Sequence, residues 1–451
     1  KIQQMGLCAG EAEYDQRFRV LRTRLRITDI LIDGLLGTGV TRPICGDLAK
    51  ILQQTAVGLT ERHAELVAAS RSPLTNLTDF DDKGTKSKPV SPSSDHPVTV
   101  AVDCPSGLNC DTGNLDPLAL PADLTVTFAG PKRGHFVFPG ATAVGELVVA
   151  DIGITEEMVE DIPVAVVTPE LARDLLPERP QDGHKGTFGK LLIAAGCEKY
   201  RGAPLLAARG AFRAGAGLVT LAVPPALRLG ISIALPEATY AEVKADGGWL
   251  TAVSAHHIQE TASQYDALLV GPGLGHADDF ITTLFPADGD APDLPTLIDA
   301  DGLNALSRLE KWWKRLPAHC VLTPHPAEMA RLMGIPLPDL LKQNRIETAL
   351  AQAEKWNQVV LFKGAYTVVA APNGQATLLP FASAVLSVGG SGDGLSGVIA
   401  TLLGQDVSPY DAARLGGFLH GLAGKSSNRD RGILAAELAD RIPEAIITIQ
   451  T

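Results

Sequence analysis

The chain has 451 residues, 45% hydrophobic and 20% charged, with 45 glycines and 31 prolines. That length exceeds one ordinary core and predicts two domains, and the many turn residues suit alternating strands and helices better than a helical bundle. A net charge of −12 argues against nucleic acid or an anionic membrane surface as a partner, and no apolar run approaches the roughly 18 residues of a membrane span.

Short β-branched runs follow in chain order. Ile27–Ile32 precedes DGLLGTG, Val98–Val102 precedes DCPSGL, Lys190–Ile193 precedes AAG, and Ala267–Val270 precedes GPGLG. Thr296–Ile298 then leads into DADGLNAL, Val321 and Leu322 into TPHPAEMARLMG, and Val359–Phe362 into KGAYTVVAAPNG. Strand, glycine-rich or acidic corner, then helix is the pattern of a parallel sheet wound with helices, whose ligands gather at the carboxyl ends of the strands. The Asn373-Gly374 pair predicts a hairpin after the last strand. Residues 70–97 are polar and irregular and read as a mobile insertion within the first domain. A second break at Leu176–His184 places the domain boundary near Thr168, giving domains 1–165 and 168–451. The six cysteines, at 8, 45, 104, 110, 197 and 320, include no CxxC pair and no His/Cys cluster at zinc spacing. A reducing, cytoplasmic setting is expected, and the N-terminus shows no signal-peptide pattern.

The most chemical segment is GGSGDG at Gly389–Gly394, ahead of the small apolar run Leu395–Leu403. Glycine-rich backbone at a helix N-terminus lets successive amides converge where the helix dipole favours a phosphate. Asp393 inside that nest suggests a base that takes a proton from a hydroxyl attacking the phosphate. A glycine-rich turn with Asp393 as a helix cap accounts for the loop equally well on its own. Lys363 is either a phosphate partner or a solvated edge residue, and His325, between two prolines, is either a ligand contact or a surface histidine. Asp299 and Asp301 suit Mg2+ or water near phosphates, or a helix cap.

Six ordered segments carry a family resemblance: KGTFGKLLIAAG (185–196), YRGAPLLAARGAFRAGAGLVTLAVP (200–224), GPGLG (271–275), DADGLNAL (299–306), TPHPAEMARL (323–332) and KGAYTVV (363–369). With GGSGDG they resemble the ribokinase-like ADP- or ATP-dependent NAD(P)H-hydrate dehydratases over nearly all of 168–451. The resemblance implies a ribokinase-like α/β domain with a mostly parallel central sheet. It also implies phosphorylation of the hydrated nicotinamide ring by ADP, with ATP as the alternative, followed by loss of phosphate. Asp393 is then the catalytic base. Lys363, Gly364, Ala365, Tyr366, Thr367 and Gly392 hold the nucleotide with Mg2+. Ala203, Gly273, His325 and Asp393 contact the substrates NADHX and NADPHX.

Residues 27 to about 160 resemble the NAD(P)H-hydrate epimerase domain that bacteria commonly fuse to the dehydratase, through ILIDGLLGTGVTRPICGDLA, VTVAVDCPSGLNCDTG, ADLTVTFAGPKRGHFVFPGA and GELVVADIGI. A Rossmann-like three-layer domain is implied, with Asp33 and Ser106 holding K+. Gly37, Thr38, Gly39, Val40, Thr41, Arg42 and Pro43 wrap the pyrophosphate and ribose, and Asp103 is catalytic at the nicotinamide end. The family's GxGNNGGDG-like loop has no counterpart ahead of these motifs. Either the sequence lacks its N-terminal part or this first domain has lost half its site. A small-alcohol or vitamin-precursor kinase is the competing enzyme, and a non-catalytic nucleotide-binding regulator the competing class. Intact GGSGDG argues against the regulator. A symmetric homo-oligomer is expected.

Overall fold

The computed structural model describes residues 15–70 and 97–451, apart from 288, 290 and 319 and without the side chains of 16, 63–70 and 156. Apart from Ser70 and Pro97, the expected insertion at 70–97 lies outside the described residues, as does Cys8. The chain divides into two compact units, residues 1–159 and 160–451. This division precedes the break placed near Thr168, since Val164–Val166 is a strand of the second unit's sheet.

In the first unit come α1 (Arg19–Ile27), β1 (Ile30–Asp33), α2 (Gly46–Ser70), β2 (Val98–Val102), β3 (Leu124–Phe128) and β4 (Glu146–Ala150). The strands form one parallel sheet in the order β1-β2-β3-β4. Its register puts Ile30, Ile32, Val98 and Val148 on one face, where they are exposed, and Asp33, Ala101 and Thr125 on the other, where they are buried. The apolar run Ile27–Ile32 spans two elements. Ile27 closes α1, and Thr28 is already extended, its Oγ1 donating to the Arg24 carbonyl at 2.8 Å.

The second unit opens with β5 (Val164–Val166), α3 (Pro169–Asp174), β6 (Lys190–Ala194), α4 (Ala203–Arg213), β7 (Leu218–Ala222), α5 (Pro225–Ala234) and β8 (Thr239–Tyr240). A small hairpin, β9 (Ala245–Asp246) and β10 (Trp249–Leu250), precedes α6 (Ala252–Thr261), β11 (Ala267–Val270), α7 (Asp278–Leu284), β12 (Thr296–Ile298) and α8 (Ala300–Leu306). Next come β13 (Val321–Leu322), α9 (Pro326–Met333), α10 (Leu337–Leu340), α11 (Arg345–Trp356) and β14 (Val359–Phe362). The chain ends with β15 (Val368–Ala370), β16 (Ala376–Leu378), α12 (Ser391–Leu403), α13 (Pro409–Lys425), α14 (Ala435–Asp440) and α15 (Ile442–Gln450).

Ten strands form one sheet in the order β5-β16-β15-β14-β13-β12-β11-β6-β7-β8. Only the pairs made by β15 are antiparallel, and they include the hairpin that turns at Asn373-Gly374. Every residue of β11, β12 and β14 is buried, as expected of parallel strands covered on both faces.

Helix α12 is buried over most of its length and lies against α4. Small residues allow this approach. A Cβ on Gly397 would drive into the Ala207 carbonyl, and one on Gly210 into the Gly394 carbonyl. The crossing seats the N-terminus of α12, with Asp393 in its first turn, above the carboxyl ends of the strands. Gly397→Ala should therefore destabilise the second unit by about 1–3 kcal/mol, lowering the denaturant midpoint at unchanged slope. Gly230→Ala, in α5 with nothing within 4 Å of the added Cβ, should be neutral or slightly stabilising. Equal midpoints for the two variants would show that the α4–α12 contact has room to spare.

Candidate functional site

The corners after β12, β13 and β14 bring three charged side chains to the start of α12. Asp299, directly after β12, is buried at 1% exposure. Its Oδ1 accepts from Lys363 Nζ at 2.7 Å, and its Oδ2 accepts from Ser396 Oγ, on α12, at 2.6 Å. Burial works against this carboxylate, but Lys363 and the hydroxyls of Ser396 and Thr323 hold its pKa below the ordinary aspartate value. Asp299 makes no side-chain cap to α8. Asp301 accepts from the Gly275 amide at 2.8 Å.

Lys363 follows β14, its amide bound to the Pro324 carbonyl at 2.9 Å, and its Nζ also lies 3.9 Å from Glu328 Oε2. Burial disfavours the ammonium, yet Asp299, Glu328 and Asp393 keep its pKa above the usual lysine value. The lysine stays charged. Asp393 is pushed up to about 7, first by burial and then by Asp299, with Asp301 and Glu328 adding to the effect and Lys363 opposing it. One ammonium is shared among more carboxylates than it can neutralise, and Asp393 is left half protonated near neutral pH.

Gly390 caps α12 at φ 90°, and a Cβ there would meet Leu206 of α4. The helix thus begins inside GGSGDG at Ser391, four residues before the expected run. The first-turn amides of Gly392 and Asp393 have no intrahelical acceptor. A Cβ on Gly392 would stand 3.4 Å from Lys363 Nζ, so the lysine ammonium lies directly against this first-turn backbone.

Gly364 to Thr367 form a tight loop closed by Thr367 Oγ1, which donates to the Gly364 carbonyl at 2.8 Å. Ala365 is exposed at its edge, and Tyr366 takes φ 51° within it. Arg345, from α11, braces the segment from below, donating to the carbonyls of Phe362, Lys363 and Ala365 at 2.8–3.0 Å. Ala203 and Gly273 adjoin: a Cβ on Gly273, where φ is 63°, would come within 2.8 Å of the Ala203 Cβ.

His325 is half exposed, yet both ring nitrogens are engaged. Nδ1 accepts from the Ala327 and Glu328 amides as the cap of α9, and Nε2 lies 3.1 Å from Glu328 Oε1. Its ring edge is therefore occupied by Glu328 and the α9 amides. Several residues here carry no sequence signal of their own: Ser396, Arg345 and His420. The last is buried on α13, its Nε2 3.3 Å from Ser391 Oγ, and burial lowers its pKa to about 4.

In the first unit Asp33 closes β1 in a buried position. Its Oδ2 accepts from the Ser106 amide at 2.7 Å and its Oδ1 from Ser106 Oγ at 2.6 Å. The structure thus brings together the two residues expected to hold K+. Gly37, Thr38, Gly39, Thr41, Arg42 and Pro43 are exposed, with the Val40 carbonyl held by Asn109 Nδ2 at 2.9 Å. Asp103 takes φ 68°, and its Oδ1 accepts from Lys132 Nζ at 2.6 Å and Thr127 Oγ1 at 3.0 Å. Burial opposes ionisation of Asp103, but Lys132 and the Phe128 amide hold its pKa below normal. Lys132, in PKRGH, was not singled out in the sequence. The cysteine reading also changes here, since folding brings the sulfurs of Cys104 and Cys110 into contact beside His135.

Comparison with known proteins gives the same division of the chain. The NAD(P)H-hydrate dehydratase family matches residues 191–447, and the YjeF-related protein N-terminus family matches residues 6–134. A bifunctional NAD(P)H-hydrate repair enzyme from Moorella thermoacetica is 39% identical over 364 residues, covering 79% of this chain and 68% of that protein. The Thermofilum pendens enzyme of the same description is 32% identical over 442 residues, covering 97% of this chain and 76% of its own. Among solved structures, the ADP/ATP-dependent NAD(P)H-hydrate dehydratase of Bacillus subtilis, co-crystallised with ATP and Mg2+, aligns at a TM-score of 0.54. It is 32% identical, covering 64% of this chain and 99% of its own. Motifs, fold and these relatives agree: the chain belongs to the NAD(P)H-hydrate repair enzyme family, with a YjeF-related first unit and a dehydratase-type second unit.

Proposed function

We propose that the second unit dehydrates the S epimers of NADHX and NADPHX at the expense of ADP, releasing AMP and phosphate, and that the first unit interconverts the R and S epimers. The observation that carries the dehydratase reading is Asp393, a carboxyl raised to about 7 in the first turn of a helix. A base with that pKa is half ionised at neutral pH, which favours general-base catalysis. It takes the proton from the ring hydroxyl as the oxygen attacks the β-phosphoryl group of ADP and AMP leaves. The new phosphate ester then departs with its bonding electrons, as a ring proton is lost, and the reduced nicotinamide returns. Hydroxide leaves poorly and phosphate leaves well, so the nucleotide supplies the driving force.

Lys363 and the amides of Gly392 and Asp393 face the charge that develops on the transferred group. The segment 363–367 holds the nucleotide, while Ala203, Gly273 and the exposed part of His325 line the hydrate. The carboxylates of Asp299 and Asp301 are the hard oxygen donors Mg2+ takes, and the ion would offset phosphate charge there. In the first unit Asp33 and Ser106 offer K+ oxygen donors of the same hard kind, residues 37–43 flank the pyrophosphate, and Asp103, ionised beside Lys132, takes part in proton transfer.

Asp393→Asn should lower the dehydration rate about 10²–10⁴-fold while nucleotide binding, followed by calorimetry, is retained. An unchanged rate removes the base role. The rate should rise with pH through about 7, as Asp393 loses its proton. Asp299→Asn removes the largest charge that raises this pKa and frees Lys363 to face Asp393, so the rising limb of kcat/KM should move to lower pH. A limb that stays in place, or moves up, contradicts the electrostatic account. Recovery of reduced-cofactor absorbance from separated epimers tests both units: with ADP, the S epimer should be restored by the second unit alone. Recovery of the R epimer requires a working first unit, and a faster reaction with ATP overturns the choice of ADP.

A further inference from the structure

Cys104, Cys110 and His135 meet in the first unit, drawn from the corner after β2, the loop beyond it and the segment between β3 and β4. Their ligand atoms all lie within 4.8 Å of one another. The three residues are 0%, 5% and 1% exposed. His135 Nε2 is buried with no hydrogen-bond partner, while Nδ1 accepts the Lys132 amide at 3.2 Å. A buried polar atom without a partner costs free energy unless something meets it. Among the described residues, the two sulfurs are the thiol or acid groups that complete the cluster.

We propose that Cys104, Cys110 and His135 form a binding site for zinc or a similar thiophilic divalent cation. Two thiolates and one neutral imidazole are the soft and borderline donors that such an ion selects. Two thiolates also cancel its charge, so the occupied site brings no net charge into a buried place. The Cα atoms of the two cysteines are 7.3 Å apart, beyond the span a disulfide closes without backbone movement. Sulfurs each bound to one zinc ion stand about 4 Å apart, so the two sulfurs, in contact here, separate as the ion enters between them.

Ligation through Nε2 moves the ring proton to Nδ1 and frees the Lys132 amide, at the cost of one hydrogen bond. The Lys132 ammonium is already paired with Asp103, so it does not stand unpaired against the ion. Three protein ligands leave one coordination position for a water or a further donor. The ion would tie the loop after Asp103 to the segment carrying Lys132, the two partners of the first unit's candidate site. The proposal does not rest on the dehydratase reading.

The full chain, purified under reducing conditions and loaded with Zn2+, should retain one ion per chain after dialysis, with two thiols protected from an aromatic disulfide reagent. Replacement by Co2+ should give a thiolate-to-cobalt charge-transfer band. Cys104→Ser and His135→Gln should each weaken Zn2+ binding by more than about tenfold. Cys197→Ser, at a buried free cysteine, should leave it unchanged, and the far-ultraviolet circular dichroism amplitude and cooperative thermal unfolding of each purified variant report its folding. His135→Gln keeps both thiols and so tests the site even where a cysteine variant fails to fold. Absence of retained zinc, equal affinity in His135→Gln, or recovery of a Cys104–Cys110 disulfide from protein kept reduced would each overturn the proposal.

Discussion

The chemistry proposed for the second unit depends on a charge imbalance around Lys363. Its ammonium touches Asp299 at 2.7 Å, stands 3.9 Å from Glu328 and is felt by Asp393. Asp299 lies closest and is also held by Ser396, so it takes most of the lysine's charge. Asp393 receives the remainder and the repulsion of the other acids. Its raised pKa is the consequence, and the proposed base role rests on it.

That balance is only as good as its geometry, which comes from packing. The α4–α12 contact, permitted by Gly210 and Gly397, places the first turn of α12 over the strand ends. Asp299 and Lys363 follow parallel strands one strand apart, so their separation is set by the ladder rather than by flexible loops. Ser396, one turn beyond Asp393, ties helix and strand corner together. Arg345 does the same for the end of β14 and the loop after it by binding the carbonyls of Phe362, Lys363 and Ala365. Rigid elements carry the charged groups, the preorganisation that the proposed reaction calls for.

Much of the second unit could be read from the sequence because its signals are local. Continuous apolar strands such as Ala267–Val270 and Val359–Phe362, and the Asn373-Gly374 turn, mark themselves within a few residues. Asp393 and Lys363 sit in motifs short enough to recognise. What escaped depends on long-range adjacency. Asp299 bonds Ser396 across 97 residues and Lys363 across 64, so its sequence context shows only a strand corner that suits metal or cap. His420 lies in a helix where nothing local distinguishes it, and Glu328, though inside TPHPAE, shows its proximity to Lys363 only in the fold. His325 carries a motif, but its ring serves as a cap, which the prolines around it do not disclose. In the first unit the run Ile27–Ile32 concealed the junction of a helix and a strand, and the cysteines at 104 and 110 came together only through a turn.

The most direct test of the account is the titration of Asp393 itself, by carbon-13 resonance of its labelled carboxyl with Asp393→Asn used to assign the signal. A midpoint near pH 7 in the free protein is the result predicted. A midpoint close to the ordinary aspartate value of about 4 would contradict it, since the shared lysine would then leave no base poised for the hydroxyl.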